Sequence, residues 1–540
     1  MSILNPGGDG GDPGPTLTEL VEFVPALVND DPVVVAERLQ DRYGDVVAVP
    51  PLHPALDSDV YLLSHPEDIQ YVLQSHPSSF RALDVPGSRD FSRVVRNSIV
   101  SLHSDSEEGS WTQRLRLVAP EFTEEAAQEH VPELAETTLA TLGEFADGLP
   151  GQVSAGDPSS VPDGARVWTP ESDGVRLLPA MRRLTLRLLG VSLFGRDMRA
   201  HEAEVIQAVH TLRSLFKRRQ LHLVTSYVTR QLPDRVPLPG WVHRPLGVDP
   251  HIRLTGRHER RTTEAVETLH AAASDVVARR ERTPLVFDDA LGEWLRRRDP
   301  VTGERIPPAA LRQEVMGLLI AGHATMSAGL TWACYLLAAR PEVQERIHEE
   351  ARATELLAGP EAIGEDGPER ADACHPVEGA AFLESIPYTE RVWKETLRLY
   401  PSLPVFGRTV DESVEFDGID IEAGSHVLTS PYVVHRDERW WDDPESFDPS
   451  RFAGEADRPP FAYFPFSGGR HACLGEAIAT TEATTVLATM LATHRIEFAG
   501  PDVEDPHEAP DVGVDSAINL QPDRDIVVRF VPRETWDGGE

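Results

Sequence analysis

The chain contains very little lysine. Two of its 51 basic residues are lysine, Lys217 and Lys394, and 88 acidic residues bring the formal net charge to −37. An acidic surface repels nucleic acid and anionic membranes, so we expect neither as a partner. The acid excess predicts a halophilic protein, because salt screens the repulsion among its charges. A GC-rich genome would explain the shortage of lysine but not the excess of acid.

Cysteine is equally scarce. Cys334, Cys374 and Cys473 lie far apart, and no pair has the CxxC spacing of a zinc or redox site. This excludes a disulfide framework and predicts a reducing, cytoplasmic compartment. The N-terminus also lacks the basic and apolar segments of a signal peptide, so we interpret residues 1–16 as a flexible tail.

One long segment lacks charge altogether. From Met316 to Ala339 there is no Asp, Glu, Lys or Arg, and this length would suit a membrane-spanning helix. The segment nevertheless contains His323, Thr325 and Thr331, and a helix that is apolar on all sides can also form the centre of a large core. We therefore expect a core helix and no membrane anchor.

The remaining pattern predicts a mainly α fold with small β-sheets. Apolar residues recur with helical spacing over 17–48, 112–147 and 175–295, and a final helix is expected from about Leu474. Short strands are expected at Val46–Val49, Asp59–Leu63 and near 525–531. Two stretches rich in Gly and Pro, about 148–168 and 357–378, are interpreted as surface insertions. The length of 540 residues alone would suggest more than one domain.

Cys473 lies in the most informative segment, which runs from Phe466 to Gly475 as FSGGRHACLG. Its glycines allow a tight turn and a close approach to a flat partner. A helical run follows the cysteine, and N–H groups at a helix start stabilise a thiolate. Haem iron accepts such a thiolate as a ligand. The residue chemistry alone leaves two readings open, a ligating or reactive cysteine and a small buried apolar residue.

This segment resembles the haem-ligand loop of the cytochrome P450 family. Phe466, Gly469, Cys473 and Gly475 occupy the loop's characteristic positions, and His471 stands where an Arg is more usual. The resemblance implies that haem b is the cofactor and that Cys473 is the iron ligand. It also implies that His471 lies near a haem propionate.

A second set of motifs fits the same family. Glu395 and Arg398 form an ExxR pair, which by itself is most often a surface ion pair. Followed by Arg451 in DPSRF, the pair resembles the family's structural triad, which implies a buried network close to the haem loop. Arg408 resembles the family's propionate-binding arginine, since a guanidinium suits a carboxylate.

A third motif, from Ala321 to Thr325, lies within the uncharged segment. It resembles the helix that crosses the oxygen-binding face of the haem. The resemblance implies that Ala321 leaves room for dioxygen and that Thr325 passes protons to it. Ala324 replaces the family's acidic residue, so protons must arrive through water, His323 or a more distant group. A helical threonine that bonds its own backbone is the ordinary alternative for Thr325.

A weaker match begins at Trp111, in WTQRLR. It resembles the helix whose Trp, and a basic residue four positions later, contact the haem propionates. That position is Leu115 here, flanked by Arg114 and Arg116, so the sequence leaves open which arginine contacts haem and whether both belong to a solvated basic face.

The resemblance extends over nearly the whole chain and implies a cytochrome P450 fold with one large haem domain at 17–535. It implies a monooxygenase acting on a small lipophilic organic substrate and dioxygen, with electrons from a separate ferredoxin and reductase. Pocket walls are expected at Asn97–Val100, Leu319, Val405, Phe406 and Ser516–Ile518. Two alternatives are a haem-thiolate enzyme that uses peroxide or rearranges an oxygenated substrate, and a non-catalytic haem sensor.

Overall fold

The fold is mainly helical. The computed structural model describes residues 13–15, 19, 32–49, 58–82, 98–100, 108–146, 168–169, 174–231, 256–282, 289–354, 377–454, 457–500 and 503–533. The α-helices within these residues are α1 Pro32–Tyr43, α2 Pro66–Gln70, α3 Glu108–Val118, α4 Glu124–Glu129, α5 Val131–Ala146, α6 Leu177–Leu189, α7 Glu202–Gln231, α8 Gly256–Arg282, α9 Ala290–Arg296, α10 Pro308–Ala338, α11 Pro341–Arg352, α12 Val377–Ser385, α13 Pro387–Leu399, α14 Pro431–Val434 and α15 Glu476–Thr493.

The described strands are short and form small sheets. They are β1 Val46–Val49, β2 Val60–Leu63, β3 Phe80–Ala82, β4 Trp168–Thr169, β5 Gly174–Arg176, β6 Phe406–Val410, β7 Val414–Phe416, β8 Ile419–Ile421, β9 His426–Thr429, β10 His494–Phe498, β11 Val514–Asp515, β12 Gln521–Pro522 and β13 Val527–Pro532. A five-stranded sheet has the order β1-β2-β9-β6-β3, and a four-stranded sheet has the order β10-β13-β5-β4. The pairs β7-β8 and β11-β12 are antiparallel hairpins.

The uncharged segment forms most of α10, which lies at the centre of the helical core. This helix meets the length and composition of a membrane span, yet 78% of its most apolar window is buried inside the protein. It packs closely along α6, where a Cβ on Gly322 would lie 2.9 Å from a Leu189 methyl carbon. Its burial is that of a core helix, as the sequence predicted.

The predicted elements are present with corrected bounds. The first helix ends at Tyr43 rather than near residue 48, and Gly44, with φ +96°, directly follows it. The helix expected over 112–147 is interrupted around Pro120, whose ring cannot occupy a helix interior. The last helix begins at Glu476, two residues later than predicted. The insertions and the N-terminal tail fall largely outside the described residues.

Candidate functional site

The Cys473 loop is a tight turn that precedes α15. The Cys473 amide donates to the Phe466 carbonyl at 2.9 Å, which closes the loop. Gly469 has φ +69°, and a Cβ there would lie 1.9 Å from the Leu73 carbonyl oxygen. A side chain at this position would therefore be strained and would collide with the helical turn Tyr71–Ser75, which follows α2. The glycine is required by the shape of the turn.

The Cys473 sulfur accepts a hydrogen bond from the Gly475 amide. Its side chain is reached by solvent, although protein atoms surround it closely enough that desolvation raises the pKa of the thiol. The sequence led us to expect a thiolate stabilised by the helix start. The Gly475 N–H does lower the pKa of the thiol, but burial and the Glu476 carboxylate outweigh it.

Glu395, Arg398 and Arg451 come together in the structure, although 53 residues separate Arg398 from Arg451 along the chain. The Glu395 carboxylate and Arg398 guanidinium, both fully buried, are bidentate at 2.7 and 2.8 Å. Arg451 Nε lies 3.4 Å from Glu395 Oε1, an ion-pair distance without the geometry of a hydrogen bond. The Asp448 amide also donates to Glu395 at 2.9 Å. The carboxylate is thereby tied to the segment that contains Arg451.

His435 joins this network to the haem-loop region, and the sequence analysis missed it. Its Nδ1 lies 3.2 Å from the Arg398 carbonyl, and its Nε2 accepts the Phe464 amide at 3.0 Å. A carbonyl can only accept, so the proton is on Nδ1. Burial and the charge of Arg398 lower the pKa of His435 to about 3, which keeps the ring neutral. A lone histidine at the end of the short helix α14 carries no linear signal for such a role.

Arg408 projects from β6 without a carboxylate partner among the described residues. Its Nη1 donates a hydrogen bond to the adjacent Gly407 carbonyl at 2.9 Å. Burial lowers its pKa, because the charged form loses hydration without gaining a counter-charge. A buried guanidinium in this state is suited to an anionic group such as a propionate.

Trp111 lies against the haem loop. Its ring centroid is 5.1 Å from that of His471, and the Arg470 guanidinium carbon lies 5.2 Å from the Trp111 ring. The structure thus brings α3 to the loop, and contact between Trp111 and the haem propionates stays a prediction.

Arg114 and Arg116 are engaged elsewhere. Arg114 forms a 2.6 Å ion pair with Glu314 of α10, and Arg116 forms a 2.7 Å ion pair with Asp299. Glu314 is buried and accepts the Ile99 amide at 2.9 Å, while desolvation raises its pKa to about 7. Glu314 therefore links α3, α10 and the segment 98–100. The sequence analysis did not identify Glu314, because its partners are distant in sequence.

Ala321 and Thr325 lie one turn apart on α10, with Ala324 beside them. The Thr325 hydroxyl donates to the Ala321 carbonyl at 2.6 Å. This is the ordinary bond of a helical threonine, which the sequence analysis named as the alternative. Ala324 packs against the apolar cluster that also receives Leu474 of the cysteine loop. The helix and the loop therefore share one part of the core.

The residues present fit a haem. The donor set comprises an accessible cysteine sulfur, an arginine without a carboxylate partner in the described chain, and an aromatic ring packed against the loop. The loop is built on a glycine turn that any Cβ would fill. Cys473 would hold the iron, and Arg408 and His471 would contact the propionates. These assignments stay predictions.

Comparison with known proteins agrees with this geometry. The family model for Cytochrome P450 matches residues 242–521. Cyclooctat-9-en-7-ol 5-monooxygenase of Streptomyces melanosporofaciens is 27% identical over 462 residues, 84% of this chain and 83% of that protein. Cyclooctatin synthase of the same organism is 27% identical over 442 residues, 81% and 80% of the two chains. Human Cytochrome P450 4V2 is 33% identical over 233 residues, 43% of this chain and 40% of that protein.

The chain belongs to the cytochrome P450 family, because the family model spans half of its length. Enzymes of this family are oxidoreductases that use haem b and incorporate oxygen from dioxygen. The match spans about two fifths of the length of the 4V2 relatives and four fifths of the Streptomyces ones. The predicted family, mainly helical fold class and haem b cofactor are confirmed at this level.

Proposed function

We propose that the chain is a haem-thiolate monooxygenase that inserts one oxygen atom from dioxygen into a C–H bond of a lipophilic substrate. The observation that carries this is the Cys473 loop, whose sulfur is accessible and bonded by the Gly475 amide. Haem b held by this sulfur supplies the oxygen activation. A separate ferredoxin and reductase would deliver the electrons.

Two exposed apolar side chains support a lipophilic substrate. Large apolar residues are rarely exposed in the described chain: Val301, away from the expected pocket walls, is 75% exposed, Val100 is 47% exposed and Val405 is 39% exposed. Val100 and Val405 stand at positions where the family layout predicts pocket walls. A Cβ on Gly317 of α10 would lie 3.8 Å from a Val100 methyl carbon, so Val100 lies beside the central helix. Apolar surface near this helix favours binding of an apolar molecule.

Relatives suggest where to search for the substrate. One Streptomyces relative is named for 5-monooxygenation of cyclooctat-9-en-7-ol, which its name identifies as an alcohol. We therefore include terpenoid alcohols with lipids and sterols among the candidates. The substrate should be sought by spectral titration of the haem protein at high salt.

The test uses turnover with isotope-labelled dioxygen. The purified protein in high salt, with a ferredoxin and reductase, should consume dioxygen in a substrate-dependent manner and give a product with one labelled oxygen atom. The reduced carbon monoxide complex should show a thiolate-type Soret band. Turnover with peroxide but with no ferredoxin system would contradict the proposal.

Thr325 provides a sharper test with a matched control. Thr331 lies six residues further along α10, and its hydroxyl donates to the Ser327 carbonyl at 2.6 Å, as that of Thr325 does to Ala321. If Thr325 also passes protons, Thr325→Ala should lower the product formed per dioxygen consumed, whereas Thr331→Ala should not. Equal coupling in the two variants would assign Thr325 a helical role alone.

The peroxide-using or rearranging enzyme remains the second candidate. Ala324 favours it, because the described site has no carboxylate at the position from which the family delivers protons. A peroxide supplies both oxygen and protons and so would not need that carboxylate. Peroxide-supported turnover that exceeds ferredoxin-supported turnover would favour this candidate.

A further inference from the structure

A second feature of the central helix is a small cavity on its flank. Residues of α6, α7, α10 and the β11-β12 hairpin line it, among them Arg182, His210, Arg213, Ile320, His323 and Gln521. Ala324 also lies on its wall. Ile320 and Ala324 are the direct neighbours of Ala321 and Thr325 in the helix. The cavity therefore adjoins the face on which oxygen chemistry is proposed.

Arg182 is a buried cation in this cavity. It is 6% exposed, and its guanidinium donates to Gln521 Oε1 at 3.1 Å and lies 3.3 Å from His210 Nδ1. Within the described chain it has no carboxylate partner. The neighbouring Arg213 is paired with Asp515, at 2.9 Å. Burial, together with the charge of Arg213, lowers the pKa of Arg182 to about 10. An additional oxygen acceptor would stabilise this guanidinium.

His323 presents the complementary group. Its Nε2 lies 3.0 Å from the Arg182 carbonyl, which can only accept, so the proton is on Nε2 and Nδ1 is a bare acceptor. Nδ1 is buried and has no hydrogen-bond partner. Burial and the charge of Arg182 lower the pKa of His323 to about 3, so the ring is neutral. A buried acceptor without a donor is costly, and a ligand O–H would relieve this cost.

A hydroxyl group matches both requirements. Its oxygen can accept from a guanidinium such as that of Arg182 and its hydrogen can be donated to an acceptor such as His323 Nδ1, whereas a carboxylate would satisfy Arg182 but has no hydrogen for Nδ1. The cavity has a volume of about 30 Å³. This exceeds the ~10–15 Å³ that one water-sized group requires, but it is far too small for a whole lipophilic molecule. The cavity is therefore sized for one water-sized group.

We propose that Arg182 and His323 form a subsite that binds a hydroxyl group of the substrate and so positions an alcohol-bearing hydrocarbon along α10. This inference rests on the proposed function, since it names a substrate class for the same site. Water could supply the same hydroxyl chemistry, and the experiment separates the two sources.

The experiment compares alcohols with their parent hydrocarbons. Cedrol and cedrane, and cyclohexanol and cyclohexane, are titrated into the haem-loaded enzyme at high salt, and Kd is obtained from the spin-state shift of the ferric haem. Hydrophobic burial alone favours the hydrocarbon, because water solvates the alcohol better. If the subsite binds the hydroxyl, at least one alcohol should bind about tenfold more tightly than its parent.

Variants locate the effect. His323→Leu should abolish the preference for the alcohol, and His323→Gln should retain part of it, because the amide oxygen can accept. Ile320→Val is the matched control, since it alters an apolar wall of the same cavity and should change both affinities equally. The reduced carbon monoxide spectrum of each variant verifies that the haem site is intact.

Equal affinities for alcohol and hydrocarbon, with no effect of His323→Leu, would show that the cavity holds water and would overturn the proposal. The absence of a shift with any alcohol would overturn it as well. The proposed function has a separate test. It is refuted if the reduced carbon monoxide complex of the wild-type protein, measured without any alcohol or hydrocarbon, lacks the thiolate-type Soret band.

Discussion

Glu482 makes the stability of this protein depend on pH. It lies on α15, the helix that follows the cysteine loop, and is 3% exposed. Its Oε1 accepts the Ser192 hydroxyl at 2.6 Å, and burial raises the pKa of the carboxyl from 4.5 to about 7. One neutral hydrogen bond does not compensate for the loss of hydration of a carboxylate.

The magnitude follows from linkage. The folded protein holds the Glu482 proton more tightly than the unfolded chain, so the free energy of unfolding falls as pH rises from about 4.5 through about 7. The full difference between those two pKa values corresponds to about 3 kcal/mol. Below pH 4.5 Glu482 is protonated in both the folded and the unfolded chain, and it then does not destabilise the protein. Above about pH 8 it is ionised in both states, and the destabilisation reaches its full value.

Glu482→Gln tests this reasoning. The amide oxygen can still accept from Ser192, but the side chain no longer ionises. The stability of the variant minus that of the wild type should increase by about 2.5 kcal/mol between pH 5 and pH 8.5. Urea unfolding at fixed high KCl, followed by the haem Soret band and by circular dichroism, measures this difference.

Glu384→Gln is the matched control, because it removes the same charge from an exposed position on α12. Its stability relative to the wild type should hardly vary with pH. A Glu482→Gln variant whose relative stability is the same at every pH would refute the argument, since the buried carboxylate would then carry no ionisation cost.

Four further outcomes are expected. Cys473→Ser should lose the thiolate-type Soret band of the reduced carbon monoxide complex. Arg398→Ala should lower the free energy of unfolding by about 3–5 kcal/mol, because it leaves the buried Glu395 carboxylate without its cation. Arg260→Ala, which removes an exposed helical ion pair, should change the free energy of unfolding by less than ~1 kcal/mol. Unfolding midpoints should rise with KCl if the acidic composition is halophilic. Arg408→Ala should release haem to apomyoglobin faster than Arg114→Ala does.

Short linear motifs could be predicted from the sequence because their geometry is local. The cysteine loop needs its glycine turn, and Glu395 and Arg398 lie three residues apart on one face of a helix. Both features appear in the structure at the predicted positions. The central helix was also predictable, since its apolar residues continue around all sides.

Pairs of residues that are distant in sequence could not be predicted in this way. Glu314 meets Arg114 across 200 residues, and His435 meets Arg398 across 37. Neither carries a motif, and each depends on how helices pack. The cavity lined by Arg182 and His323 could not be predicted either, because it forms only where four elements pack together. Helix bounds were also misplaced wherever a proline or a glycine ended the helix earlier than the apolar pattern did.

The ion pairs of α3 change the assignment of the haem propionates. An arginine that turned toward a propionate would leave Glu314 or Asp299 without its cation, and both carboxylates are buried. A buried carboxylate that loses its cation is strongly destabilising, so Arg114 and Arg116 are better explained as structural partners of Glu314 and Asp299. Arg408 has no such competitor among the described residues and would gain a counter-charge from a propionate. We therefore expect the propionates to be anchored more by β6 and the cysteine loop than by the arginines of α3.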